Sequence, residues 1–443
     1  MKIAILIFRQ IEHMYFSSII EYAKKNKINI DIFLIQNEFQ SSNAKEYQVP
    51  RLSNSPYKSH KHIIFNSSRK LSQKIIESKY DFYFSLHPVS EIFFEINKIF
   101  LDKIKGKLCI FMRGQDLFYE IAKLNDKKIY KYDPIIFSMT KFQFNIGMKY
   151  ITKFKNNSKN FFIKNKVTVH NVGLPMLNRY HEKNFKYFNK IKKKLKFKKS
   201  ILYLPCEISE NPKNILSNKN LYAYKLYDVH NFYSKNNFLL KIIKNFFKKN
   251  LIYLVIFLFN SSREIFFNKL REEDILYHLK AFSDRNSYNL IIKSRKKSLL
   301  CKYYDKYSDL HIVDEHHIQN PTIIQQLIKK SSIVIGNSSS AVYEVVFNKK
   351  KYMNINSSDF LLSEKSEKYF YDFKKGSMYN FNGLTEVIYP KKMIENLKKR
   401  NYDFKQNILK SEYLNYSKKF LGVDKSFDPS KVFKNLKKRS QNA

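Results

Sequence analysis
The chain has 443 residues with 44% hydrophobic content, enough for two globular cores and too apolar for disorder throughout. Its formal charge of +44 predicts attraction to anionic partners, an anionic membrane surface among them. Gly (8), Pro (10) and Trp (0) are scarce while residues with A/T-rich codons abound, so codon bias is read as the first cause of that charge and function as the second.

The chain opens with Lys2 to Phe8, an apolar run followed by Arg9 and Gln10 with no small-residue cleavage site, which reads as a first strand rather than a signal peptide. Ile11, Met14, Tyr15, Ile19 and Tyr22 then recur at helical spacing. Further strands are predicted at 30–35, 81–86, 107–112, 135–139 and 167–172. Apolar strands separated by helices imply a parallel sheet covered on both faces. This is a Rossmann-like half without GxGxxG, so nothing points to NAD. A Gly-Pro break at Gly173-Leu174-Pro175 and the lysine-rich run Lys190 to Lys199 close a first domain, placed at 1–185.

A second series begins at Ser200 to Pro205. Phe238 to Lys249 carries an apolar stripe beside Lys241, Lys244, Lys248 and Lys249, which suits a core-facing helix or one lying on a membrane surface. Strands follow at 288–293, 310–313 and 332–336. A helix at 321–330 starts on Asn320 and Pro321, and a last helix starts at Asp428-Pro429. This gives a second domain at 200–400 and a C-terminal helical segment at 401–443. The longest apolar run, Leu251 to Phe259, is too short to cross a membrane. The expected location is cytoplasmic, with peripheral contact at the inner face of the cytoplasmic membrane. Cys109, Cys206 and Cys301 form no CxxC, which suits a reducing compartment. There is no HExxH either, so no metal site is predicted, and no cofactor.

The most informative stretch is Gly336-Asn337-Ser338-Ser339-Ser340-Ala341-Val342-Tyr343-Glu344. It ends a buried strand and opens a helix, where free amides and serine hydroxyls favour a phosphate or diphosphate. Glu344, one turn on, is placed to accept from ribose hydroxyls. The same residues would also serve as a plain Ser-capped helix start.

This stretch resembles the donor-binding signature of GT-B families: CDP-glycerol glycerophosphotransferases, bacterial sialyl- and polysialyltransferases, and, in the Gly-Asn-Ser-Ser-Ser loop ending in Glu, UDP-N-acetylglucosamine 2-epimerases. Val172 to Asn178, Ile201 to Pro205, Leu290 to Lys293 and Lys418 to Gly422 resemble other pieces of the glycerophosphotransferase-like group. The resemblance implies two Rossmann-like domains with parallel sheets facing across a cleft, donor in the second and acceptor in the first. The serine loop and the Lys293–Arg295 segment both end strands of the same half, so the donor is expected on Lys293, Arg295, Ser338, Ser339, Ser340 and Glu344. Where those families carry Lys-Pro-His-Pro, this chain reads Lys293-Ser294-Arg295-Lys296, so their histidine is absent. Arg295 can fork onto a phosphate but cannot donate a proton to a leaving group.

His316 and His317, between a strand and a helix, are candidates near the base or leaving phosphate, and equally a solvated pair. Asp116 in Arg113-Gly114-Gln115-Asp116 is a candidate base, or an N-cap. His13 and His87 follow other first-domain strands and are lesser candidates. The expected activity is metal-independent transfer of a sugar or alditol-phosphate from a CMP-, CDP- or UDP-linked donor to a glycan or glycolipid acceptor. The alternatives are a nucleotide-sugar 2-epimerase and a non-catalytic basic nucleic-acid-binding protein. No nucleic-acid-binding motif supports the last, and no nucleic acid is expected.

Overall fold
The computed structural model describes residues 1–8, 12–35, 61–65, 67–89, 96–122, 124, 126–154, 156–179, 186–205, 272–295, 301–314, 322–336, 339–355, 374–404, 408–423 and 425–441. Two compact units emerge: Met1–Phe185 with His316–Ile323 and Leu414–Ala443, and Lys186–Glu315 with Ile324–Tyr413.

The first unit is built on seven strands: β1 (Lys2–Ile7), β2 (Asn29–Ile35), β3 (Lys61–Phe65), β4 (Phe82–Ser85), β5 (Leu108–Phe111), β6 (Ile135–Ser138) and β7 (Thr168–Asn171). All pair in parallel, in the order β3-β2-β1-β4-β5-β6-β7. Ile3 to Ile7 of β1 are buried without alternation, as in a strand packed on both faces. Helix α1 (His13–Lys25) follows β1 and buries Met14, Tyr15, Phe16, Ile19, Ile20 and Ala23. Helix α2 (Asp116–Ala122) follows β5. The strand order reverses direction between β1 and β4.

The second unit repeats the plan with β8 (Lys199–Leu204), β9 (Tyr288–Arg295), β10 (Leu310–Asp314), β11 (Ile333–Gly336), β12 (Tyr352–Ile355) and β13 (Thr385–Ile388). The order is β10-β9-β8-β11-β12-β13, again all parallel. Here the reversal falls between β8 and β11. Helix α3 (Ala341–Phe347) follows β11, with all seven of its residues buried. The strands expected at 2–8, 30–35, 81–86, 107–112, 135–139, 167–172, 200–205, 288–293, 310–313 and 332–336 are all present within a residue or two of their expected ends. β3, β12 and β13 were not anticipated. The stripe at 238–249, and Asn320 and Pro321, lie outside the described residues.

The C-terminal segment packs on the first unit. Leu174 N–H donates to Leu421 O at 3.1 Å, and Phe427 N–H to Leu177 O at 2.8 Å. The segment ends in helix α4 (Ser430–Gln441), where Val432, Phe433 and Leu436 are buried and Phe433 stacks on Tyr22 at 5.1 Å between ring centroids. Gly422 lies at φ +69°, and a Cβ there would come within 2.2 Å of Met139 O. Only glycine fits that crossing.

Candidate functional site
Each sheet places a set of chemically capable residues at its carboxyl edge beside the reversal, where open α/β sheets bind ligands.

In the second unit, β11 ends at Gly336, level with Leu204 of β8. A Cβ on Gly336 would lie 2.9 Å from both Leu204 O and the Tyr352 hydroxyl, so the strand end closes only with glycine. Tyr203 is level with Ile292, so Lys293, the next residue of β9, stands at the height of Leu204. Gly336 and Lys293 are thus two strand spacings apart, about 10 Å. Lys293 is buried, and β9 runs on to Arg295.

The start of α3 differs from the expectation of free amides. Ser339 Oγ accepts from Ala341 N–H at 3.2 Å, Ser339 O accepts from Val342 N–H at 3.1 Å, and Ser340 O accepts from Tyr343 N–H at 3.2 Å. These amides are satisfied within the chain because Ser340 adopts αR geometry and winds the turn one residue early. With only two turns of helix behind it, the dipole is small. The Ser340 side chain makes no capping bond and is exposed, so its hydroxyl is the group this turn offers outward. Asn337 and Ser338 lie outside the described residues, as do His316 and His317; of Arg295 only the backbone is described.

Glu344 is buried, and its Oε2 has no hydrogen-bond partner among the described residues. Burial pushes its carboxyl up to about 8, so it carries a proton at neutral pH. Behind this edge, Ser294 Oγ lies 2.6 Å from His311 Nε2, and His311 Nδ1 lies 2.7 Å from Asp305 Oδ1. That is the order of a nucleophile triad, but Ser294 is fully buried, so the chain of bonds braces β9 against β10.

In the first unit, four ionisable side chains meet, from the segments that follow β1, β4 and β5, Glu120 of them from α2. His87, past β4, sits between two carboxylates: Nε2 is 2.8 Å from Glu12 Oε1 and Nδ1 is 2.9 Å from Glu120 Oε1. Arg113, past β5, donates to Glu120 Oε1 at 2.9 Å, and Phe8 N–H donates to Glu12 Oε2 at 2.8 Å. Burial alone would make His87 a weaker base, but Glu120 and Glu12 raise it to about 9. Burial would raise Glu12, yet His87, the Phe8 amide and Arg113 bring it below the usual carboxylate range. The cluster is an imidazolium between two carboxylates, with a guanidinium at one end.

His13, the first residue of α1, is held down at about 4, chiefly by burial, against the pull of Glu12 and with the push of His62. It is a neutral imidazole. Asp116 opens α2 one turn before Glu120; only its backbone is described. Sequence reading named His87 and Arg113 but missed Glu12 and Glu120. Their partners lie 75 and 33 residues away, and no local spacing signals that.

No protein-family model matches the chain, and no curated protein matches it. Solved structures do. A Listeria monocytogenes protein assigned as a UDP-N-acetylglucosamine 2-epimerase aligns at TM-score 0.50 and 11% identity, over 100% of this chain and 97% of that one. Staphylococcus aureus MnaA with UDP aligns at TM-score 0.49 and 10% identity, over 100% and 97%. Arabidopsis thaliana UGT89C1 with UDP-L-rhamnose aligns at 0.46 and 10%, over 99% and 97%. With the two all-parallel sheets, the Listeria likeness shows the fold: two Rossmann-like domains of the GT-B type.

Proposed function
We propose that the second unit binds a nucleotide-activated donor at the Ser339–Ser340 turn, and that the protein transfers the donor's sugar or alditol-phosphate to a hydroxyl acceptor without a metal ion. One observation carries this reading. The serine turn leaves β11 at the reversal of the second sheet, with Lys293 at the same level and the protonated Glu344 one turn inside. Such an edge offers what a nucleoside phosphate needs. In this reading Ser338, Ser339 and Ser340 supply hydroxyl donors, Lys293 and Arg295 supply positive charge, and Glu344 supplies a carboxyl for ribose. Positive charge and hydroxyls around the departing phosphate stabilise the charge that develops as the donor bond breaks. Asp116, His13, His316 and His317 remain the candidates for proton transfer to or from the reacting groups.

A second reading, nucleotide-sugar 2-epimerase, is favoured by the fold of the Listeria protein. The two differ in what they need. An epimerase turns over the nucleotide sugar alone, whereas a transferase consumes it only with an acceptor, apart from slow hydrolysis.

The deciding experiment is titration calorimetry with CMP, CDP, UDP and GDP and their sugar- or alditol-linked forms. It uses the parent and the Ser339→Ala/Ser340→Ala double variant. Each lost hydrogen bond to a charged phosphate costs about 1.5–3 kcal/mol, so the double variant is expected to bind the best nucleotide at least tenfold more weakly. Equal affinity in a folded double variant makes the turn a helix cap and ends the donor-site assignment.

A further inference from the structure
The amino edges of the two sheets differ in how their lysines are balanced. In the first unit the cations there meet carboxylates: Lys2 pairs with Asp31 at 3.7 Å, Asp81 lies 3.9 Å from the Met1 amino group, and Asp133 accepts from Lys166 N–H at 2.8 Å. In the second unit the same holds near the starts of β9 and β10, where Lys280 pairs with Asp309 at 2.9 Å and also with Asp284. It does not hold where β8, β11 and β12 begin.

Three stretches of chain bring lysines together there. Lys198 and Lys199 open β8. The helix Ile323–Lys330 ends on Lys329 and Lys330, directly before β11. Lys349, Lys350 and Lys351 lead from α3 into β12. The ladder sets these stretches side by side: Ser332 N–H donates to Ser200 O at 2.8 Å, and Val334 N–H to Lys351 O at 3.3 Å. Lys199 and Lys350 thus stand two strand spacings apart, about 10 Å. Glu386 is taken by Lys351 at 2.7 Å. Lys199 and Lys349 lie over the rings of Tyr288 and Tyr413, 5.6 and 5.3 Å from the centroids, and pair with no carboxylate among the described residues. Lys350 is half-buried, and burial with the neighbouring Lys329 holds its ammonium below the usual lysine range. Such a cation is destabilised until an anion reaches it. Codon bias raises lysine content everywhere; it does not keep carboxylates away from one stretch of one edge.

We infer that the amino edge of the second sheet, from β8 to β12, is a docking surface for a linear acidic polysaccharide. Its lysines span about 10 Å, more than one anionic group covers, so the partner carries repeated charges. Lys350 is recessed while Lys198, Lys199 and Lys349 are exposed, which suits a narrow chain that enters among them more than a flat bilayer. The rings beneath the lysines, Tyr288 and Tyr413, are buried, so neither offers a face on which a nucleic-acid base could stack. Ammonium groups act as point charges without a fixed fork, which suits carboxylates strung on a flexible chain. β8 and β11 are six and four residues long, so this surface lies about 13–20 Å from the edge that carries the serine turn, and both can be occupied at once. The inference does not rest on the donor reading.

The test is binding of fluorescently labelled polygalacturonate to the full chain in about 0.15 M salt, which screens the diffuse charge. The edge variant is Lys199→Gln/Lys349→Gln/Lys350→Gln. The control is Lys25→Gln/Lys70→Gln/Lys79→Gln, which removes the same charge from exposed positions of the first unit. The edge variant is expected to bind the polymer about tenfold more weakly, and the control within about twofold of the parent. Circular dichroism checks folding; if the edge variant does not fold, the exposed pair Lys198→Gln/Lys199→Gln replaces it, with an expected loss of about fourfold. Free galacturonate, which meets one lysine at a time, is expected not to bind at the same uronate concentration. Equal losses in the edge and control variants overturn the inference. So does a parent that does not bind the polymer, or galacturonate that binds as tightly per uronate. Oligothymidylate and phosphatidylglycerol vesicles are titrated alongside and are expected to lose equally in both variants. An edge-specific loss with either that matches or exceeds the loss with the polysaccharide assigns the surface to nucleic acid or lipid and overturns the inference too.

Discussion

Single residues carry opposing proton linkages here, and they can be told apart. Burial holds Glu344 up to about 8 from 4.5, so between those values the folded state keeps a proton that the unfolded state has lost. Stability must fall as pH rises through that window, by an amount of order 5 kcal/mol. His13, lowered from 6.5 to about 4, works the other way: its contribution is present above 6.5 and lost as pH falls through about 4. His87, raised from 6.5 to about 9, contributes fully below 6.5 and loses that contribution as pH rises through about 9. Comparing the parent with Glu344→Gln cancels both histidines. The melting temperature of Glu344→Gln is expected to gain on the parent steadily from pH 5 to pH 8. A gap that stays constant across those pH values would show that Glu344 is ionised throughout. A ribose diol donating to this carboxyl favours its charged form, so ribonucleotide binding at pH 7 is expected to release protons, read from calorimetry in buffers of different ionisation enthalpy. Glu344's position one turn into α3 was legible from its spacing to the serines; its burial was not, because burial depends on all seven helix residues being covered.

At the scale of elements, ten strands were legible from their apolar and β-branched runs, and β3, β12 and β13 were not. β3 reads Lys-His-Ile-Ile-Phe, β12 Tyr-Met-Asn-Ile and β13 Thr-Glu-Val-Ile; each is four or five residues long with a polar or charged member, and tertiary pairing decides their state. Strand order is a nonlocal property too. The serine turn's place at the reversal follows from β11 pairing with β8, which no pattern around residue 336 encodes. Two segments that resemble known pieces, Val172 to Asn178 and Lys418 to Gly422, prove to be hydrogen-bonded neighbours through Leu174 and Leu421. Their glycines are set by the crossing. Gly422→Ala meets the Met139 carbonyl at 2.2 Å and also holds φ +69°, so a loss of about 2–4 kcal/mol is expected in urea denaturation. Gly376 has φ +86° with nothing within 4 Å, so Gly376→Ala bears the backbone strain alone, about 1 kcal/mol. Comparable losses in the two variants would show that the crossing tolerates a side chain.

For the whole molecule, the open question is whether the basic charge acts. Among the described residues, no helix is long and apolar enough to cross a membrane. Membrane contact made by the described residues then rests on their surface, and a charge of +44 spread over the chain favours many weak attractions. Each Lys or Arg near an anionic bilayer contributes about 1 kcal/mol and loses it within a Debye length, about 10 Å in 0.1 M salt and 3 Å in 1 M salt. If the charge is diffuse, binding is expected to vesicles containing phosphatidylglycerol and not to pure phosphatidylcholine, and to disappear between about 0.05 and 0.5 M salt. If the stripe at 238–249 inserts its apolar side instead, a salt-resistant fraction remains, because burial of Phe and Ile side chains is not screened. Replacing Lys241, Lys244, Lys248 and Lys249 with Gln separates the cases. A diffuse surface loses four charges of a large excess and binds nearly as before, while a dedicated helix loses its attraction to the headgroups. Co-sedimentation that is absent even at low salt would leave the charge without a membrane role and return it to codon usage.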